Sequence, residues 1–322
     1  MLHFSLEIVR LASELTRIIQ SELVMPALNK ADKSPVTVAD LAVQAFIAAR
    51  LEAYDPDIPL VGEESAAVFE NEAGQQTLAV VTEYVRKLLP AAEKADICRW
   101  IDRGQKNGRG AERFWTLDPV DGTKGFLRRE QYAVALAFLE NGRVEMGVLG
   151  CPQLSLDAET SVGVLAYARR NEGAWMLPLK ADNEVSPTRL HVSGISDISQ
   201  ARVLRSVESG HTNVSRMDIL MERLGVQAPP VLMDSQAKYV VLAAGRGEML
   251  FRLLSEKQPD YRECIWDQAA GSILVEEAGG KITDLNGKPL DFTHGRKLEE
   301  NRGICATNGV LHAEAVKALA EI

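Results

Sequence analysis

Leu6, Val9, Leu11, Leu15, Ile18 and Ile19 recur at roughly helical spacing, with Glu7, Arg10 and Glu14 between them. That spacing predicts an amphipathic helix over 5–25. Segment 37–54, TVADLAVQAFIAARLEAY, repeats the pattern through Leu41, Ala45, Phe46, Ala49 and Leu51. Thr37 and Asp40 give a capping-box spacing at its start. PLVGEES (59–65) reads as a short strand ending in acids, and RGQKNGRGAER (103–113), basic and glycine-rich without apolar periodicity, as a loop. A strand WTL leads into DPVDGT. YAVALAFLE (132–140), Asn141-Gly142 and RVEMGVLGCP (143–152) form a hairpin, because Asn-Gly suits a type I′ turn. VGVLAYARRNEGAWML (162–177) predicts a second hairpin that turns at Asn171-Glu172-Gly173. The first half therefore reads as helices on an antiparallel sheet.

The polar, proline-bearing stretch 178–189, PLKADNEVSPTR, is a candidate linker. It divides an N-terminal α+β unit, 1–185, from a C-terminal α/β unit, 186–322. Beyond it strands and helices alternate. RVLRSV (202–207), EMLFRLL (248–254), KITDL (281–285) and GICAT (303–307) read as strands. MDILMERLG (217–225), SQAKYVVLAAG (235–245), DQAAGSILVEEAGG (267–280) and 309–321 read as helices, the first three ending at glycine. The alternation predicts an α/β class with a second layer.

Charge narrows the partners. With 45 acidic against 36 basic residues the net charge is -9. That argues against broad contact with nucleic acid or an anionic membrane and leaves a local basic pocket open. The acids near the N-terminus break any secretory apolar region, and no run of 18 apolar residues exists. Cys98, Cys151, Cys264 and Cys305 form no CxxC pair. They predict reduced thiols in a cytoplasmic protein, expected to act as a monomer.

The chemistry centres on DPVDGT. By itself it also reads as a turn, with Asp, Pro and Gly in turn-favoured places. A functional reading needs a hard cation: carboxylates three apart around a tight turn can face one small volume, joined by the Val120 carbonyl. Gly122 and Thr123 would open a helix whose free N–H groups suit a phosphate. Further acids stand where elements end: Asp40 in TVAD, Glu63 and Glu64 in GEES, and Asp267 in IWDQAAG. Each alone also reads as a helix-start or solvated acid. Other hydrolase chemistries fit less well. Haloacid-dehalogenase phosphatases use DxDGT, whereas Pro119 and Val120 both intervene here. There is no GxSxG elbow, no HxxxH pair among the five histidines, and no third glycine after Gly245-Arg246-Gly247.

SPVTVAD, VGEES, WTLDPVDGTKGF and IWDQAAG together resemble the inositol monophosphatase superfamily of magnesium-dependent, lithium-sensitive phosphatases. SVESGH and DSQAKY are similar to its 3′(2′),5′-bisphosphate nucleotidase branch. The resemblance spans about residue 30 to 310 and implies a layered α/β/α/β/α sandwich. It implies Glu63, Asp118, Asp121, Asp267 and the Val120 carbonyl as ligands of two or three Mg2+ ions. It implies Asp40 and Thr123, hydrogen-bonded to one another, as the pair acting on the attacking water. Gly122 and Thr123 would cradle the phosphate, and His211, Ser235, Lys238 and Arg252 would contact the nucleotide. The implied reaction, part of sulfur metabolism, hydrolyses the 3′-phosphate of adenosine 3′,5′-bisphosphate, with 3′-phosphoadenylyl sulfate as a related substrate. Hydrolysis of inositol phosphates or fructose bisphosphate, or a non-catalytic phosphoadenylate sensor, are the competing expectations.

Overall fold

In the computed structural model, residues 1–24, 34–156, 162–180, 185–207, 214–255 and 257–322 are described. Helix α1 (Leu2–Ile19) runs into a π-helical turn at Gln20–Val24. Then come α2 (Ser34–Tyr54), β1 (Leu60–Gly62), α3 (Glu72–Arg86), α4 (Lys94–Arg103), β2 (Arg113–Asp121) and α5 (Thr123–Arg128). The two expected hairpins are β3 (Ala133–Glu140) with β4 (Arg143–Cys151), and β5 (Val164–Arg169) with β6 (Gly173–Pro178). Positive φ at Asn141 and Gly142 is the geometry an Asn-Gly I′ turn requires.

These strands and the short β7 (Thr188–Arg189) form a seven-stranded sheet in chain order. All its pairs are antiparallel except β1 with β2. The first sheet therefore includes Thr188 and Arg189, a little beyond the expected boundary at 185.

The second half gives β8 (Val203–Arg205), α6 (Val214–Leu224), β9 (Val231–Leu232), α7 (Ala237–Ala243), β10 (Met249–Arg252), α8 (Ala269–Glu277), β11 (Lys281–Thr283), β12 (Ile304–Thr307) and α9 (His312–Leu319). Its sheet has the order β11-β12-β10-β8-β9. In this half the two-residue β9 had no counterpart in the sequence pattern; in the first half α3, α4 and the two-residue β7 had none.

Period-two alternation assigns the layers. On β3, Val134, Leu136 and Phe138 join Ile8, Phe46 and Ile47 of α1 and α2. Ala133, Ala135 and Ala137 face Val240 of α7 and Ile273 of α8. Small residues there let α8 lie close: a Cβ added at Gly147 would stand 2.9 Å from the Ala270 Cα. On the second sheet Leu204, Leu250 and Ala306 face α7 and α8, while Val203, Met249 and Cys305 face α6 and α9. Helices, sheet, helices, sheet, helices follow in turn, the five-layer sandwich expected.

Helix α2 departs from its expected form in two ways. It begins at Ser34, which places Thr37 inside it and removes the capping-box reading. It is also not amphipathic: residues 38–49 are all buried, because α1, α3, α4 and β2 pack around it. A polar residue on such a helix must find a buried partner, and this brings Asp40 and Gln44 into the site.

Candidate active site

The expected tight turn at DPVD is instead the end of strand β2. Its register against β3 shifts between Asp118, opposite Ala135, and Asp121, opposite Ala133. Proline has no N–H to give a ladder, so a bulge at Pro119 costs little. The Val120 side chain enters the core among α2, α3 and α5, and the residue also lines the cavity. The irregularity turns Asp118 and Asp121 to one side, where Asp267 meets them. Carboxylate oxygens of Asp118, Asp121 and Asp267 all lie within 4.8 Å of one another.

Glu63, just beyond β1, lines the same cavity and is the charged neighbour that acts most strongly on Asp118. Its position is built by residues the sequence reading passed over. Gln44 on α2 accepts from Glu64 N (2.9 Å) and donates to Glu64 O (2.7 Å) and to Ile101 O (2.9 Å). Arg296 donates to the Gly62 carbonyl (2.6 Å) and stacks over Trp266, 4.7 Å from the ring centroid. It thereby ties the strand that carries Glu63 to the segment that carries Asp267. One signal for Gln44 was present: a lone amide inside an apolar helix. Arg296 had none, because its partners are distant in sequence.

The cage is electrostatically costly. Burial first, then Glu63 and its neighbouring acids, pushes the Asp118 carboxyl well above its ordinary value. Burial, then Glu64 and Glu63, does the same to Asp40 on the adjacent turn of α2. Burial, Glu64 and Asp121 push Glu63 up to about 7. Burial pushes Asp267 up to about 8 against the pull of Arg252. Asp118 Oδ1 is buried without a hydrogen-bond partner. An orphaned buried carboxylate oxygen among converging acids fits oxygen ligation of a hard divalent cation.

Helix α5 starts after Gly122, whose φ is +90°. A Cβ at Gly122 would stand 2.8 Å from the Ser235 Cβ and 3.1 Å from the Gln131 carbonyl. Glycine is required there by backbone conformation and by the close approach of the second half. Thr123 is exposed at the first turn. Among the described residues no hydrogen bond joins its hydroxyl to Asp40, which differs from expectation; Asp40 is buried on α2 and Thr123 faces the cavity.

A polar and basic wall lines the same cavity. Ser235 adopts a left-handed φ of +68°, which turns the Gln236 N–H onto the Asp121 carboxylate. Lys238 is buried, and its Nζ donates to the Met233 carbonyl at 3.3 Å. Burial lowers its ammonium to about 8, opposed by Asp121. Arg252 pairs with Glu263 at 2.9 Å. Asp234, the first residue of DSQAKY, binds Arg128 of α5 and accepts from Ser206 Oγ at 2.6 Å. Glu63, Asp118, Val120, Asp121, Gly122, Thr123, Ser235, Lys238, Arg252 and Asp267 line one cavity of about 530 Å³. Asp40 lies behind it. His211 lies outside the described residues, as does part of SVESGH.

The inositol monophosphatase family model matches residues 4–322. The chain belongs to that family. A 3′(2′),5′-bisphosphate nucleotidase of Schizosaccharomyces pombe is 38% identical over 98% of this chain and 93% of its own. A rice protein (Oryza sativa) of the same name is 39% identical over 97% of this chain and 91% of its own. The fold matches a Thermotoga maritima IMPase with a TM-score of 0.64 at 21% identity, covering 99% and 96% of the two chains. It also matches CysQ of Bacteroides thetaiotaomicron, a bacterial member of the family, at 0.63 and 18% identity over 95% and 96%. Family members use divalent metals, which agrees with the acidic cage.

Proposed function

We propose that this protein is a Mg2+-dependent 3′(2′),5′-bisphosphate nucleotidase. It hydrolyses the 3′-phosphate of adenosine 3′,5′-bisphosphate to AMP and inorganic phosphate, and acts on 3′-phosphoadenylyl sulfate as a related substrate. The observation that carries this reading is one cavity lined by a wall of acids and by a second, polar and basic wall of Ser235, Lys238 and Arg252. A monophosphate needs only the first wall; a bisphosphate uses both. The names borne by the 38–39% identical relatives support the same choice.

Glu63, Asp118, Asp121, Asp267 and the Val120 carbonyl would hold two or three Mg2+ ions. When bound, the metal supplies charge neutralisation and a water of lowered pKa. Gly122 and Thr123 present N–H groups to the scissile phosphate. Asp40 and the Thr123 hydroxyl orient the attacking water. The hydroxyl of ribose leaves and the phosphate departs with the water's oxygen, so no covalent enzyme intermediate forms. Lys238 and Arg252 meet the 5′-phosphate with charge-assisted hydrogen bonds, and His211 contacts the nucleoside. An anion beside Lys238 restores the full ammonium that burial weakens. Four free thiols and the acidic surface support action in the cytoplasm as a monomer on a small substrate.

Phosphate release is measured with adenosine 3′,5′-bisphosphate, inositol 1-phosphate and fructose 1,6-bisphosphate in Mg2+. The nucleotide is expected to turn over fastest, with lithium inhibiting. Faster inositol phosphate turnover overturns the substrate choice. Nucleotide binding without any phosphate release overturns the enzyme reading in favour of a sensor.

A further inference from the structure

Behind the basic wall runs a buried chain of polar side chains. The Tyr239 hydroxyl donates to Gln268 Oε1. Gln268 Nε2 donates to Glu263 Oε2 at 3.0 Å. Arg252 Nε stands 2.9 Å from that same oxygen. Tyr239, Gln268 and Glu263 are 3%, 1% and 4% exposed, so this set is part of the core rather than a solvated face. The direction of the chain fixes the Gln268 amide: its oxygen is taken by tyrosine, leaving its nitrogen for Glu263. Glu263 is thus gripped from behind and grips Arg252 in front.

Arg252 lies in the field of two carboxylates, Glu263 and Asp267. Asp267 is also one of the three acids that converge within 4.8 Å. A guanidinium satisfied by Asp267 would take a carboxylate away from a cation, because planar bidentate pairing is strong in a dry site. Glu263 holds the guanidinium at Nε as an ion pair, although Nε itself makes no hydrogen bond, and Arg252 lines the cavity.

We propose that Glu263 is a positioning residue: by engaging Arg252 Nε through the Tyr239–Gln268–Glu263 chain, it keeps Asp267 free for the divalent cation and aims the guanidinium at the far phosphate. This rests on the metal-dependent nucleotidase reading.

The test is Mn2+ binding without substrate, followed by electron paramagnetic resonance, in the wild type, Glu263→Gln, Arg252→Met and the double variant. Glu263→Gln is isosteric and is expected to bind Mn2+ at least about tenfold more weakly, the scale for losing a ligand's orienting partner. Adding Arg252→Met removes the competing guanidinium and is expected to restore binding to that of Arg252→Met alone. Wild-type affinity in Glu263→Gln, or no recovery in the double variant, overturns the proposal. If Glu263→Gln does not fold, Glu263→Asp reads the same cycle, since its carboxylate is one methylene short of its partners. In turnover at saturating Mg2+, Glu263→Gln is expected to raise KM for adenosine 3′,5′-bisphosphate more than it lowers kcat; unchanged KM overturns the aiming half. A wild type that releases no phosphate but shows the Mn2+ pattern overturns the nucleotidase reading and supports the positioning of Asp267.

Discussion

Glu248 and Asp118 are both buried carboxylates, and their surroundings differ in kind. Glu248 is 0% exposed and fully answered: Arg202 donates to it through Nη2 at 2.6 Å, Nε at 3.1 Å and its backbone N at 2.6 Å. Asp118 is 2% exposed, keeps one oxygen without a partner, and has Glu63, Asp121, Asp267 and Asp40 as its charged neighbours. The first arrangement is complete as folded and serves to join Arg202 to the turn before β10. The second holds like charges together at a cost the fold does not recover internally. A buried charge that the chain pairs is architecture; one that the chain surrounds with its own kind awaits a ligand of opposite sign.

The largest effect should come from unbalancing the acidic side. Asp121→Asn is expected to cut kcat/KM on the order of 10^3-fold, by analogy with removing one electrostatic stabiliser of a transition state, while the folded protein survives with an unchanged or higher metal-free Tm. Phosphate release and thermal melts read both; wild-type turnover would contradict the ligand assignment. The opposite pattern should follow at the paired acid. Glu248→Gln is expected to destabilise by about 3 kcal/mol in denaturant titration, with turnover per folded molecule unchanged.

Acidity sharpens the contrast further. The raised values of Glu63, about 7, and Asp267, about 8, mean that the metal-free folded cage holds protons the unfolded chain has released. Its stability contribution is therefore present below the ordinary carboxylate range and lost as pH rises through 7 to 8. A cation must displace those protons, so the Mg2+ concentration giving half-maximal activity should rise as pH falls from 8 to 6. A flat requirement over that range would count against the cage.

The smallest effect concerns a buried neutral group. His312 lies between Thr283 Oγ1 at 3.0 Å and Thr307 Oγ1 at 3.1 Å, and burial, then Lys281, lowers its pKa to about 4. The unfolded chain takes up a proton there first, so stability should fall as pH drops from about 6.5 to 4. His312→Gln should flatten that part of a Tm-against-pH curve.

Which parts of this were legible follows from where the information lies. The hairpin at Asn141-Gly142 was readable because its turn is set by two adjacent residues. The convergence of Asp118, Asp121 and Asp267 was readable because each sits in a motif at an element end. The buried character of α2 was not, because four elements far apart in sequence decide it, and its start was missed although Pro35 suits a first helical turn. Glu263 and Arg296 were invisible for a related reason, as were the roles of Asp234 in DSQAKY and of Gln44, whose one signal was a lone amide in an apolar helix. Gln44, Asp234 and Arg296 pair across tens of residues or more, and although the partners of Glu263, Arg252 and Gln268, are nearer, nothing in its own neighbourhood announces them.

Anomalous scattering from a crystal soaked in MnCl2 tests the cage most directly. Peaks bonded to carboxylate oxygens of Asp118, Asp121 and Asp267, with Glu63 on the nearer one, are expected. A well-ordered cavity with no peak among those residues, or manganese bound only elsewhere, would contradict it.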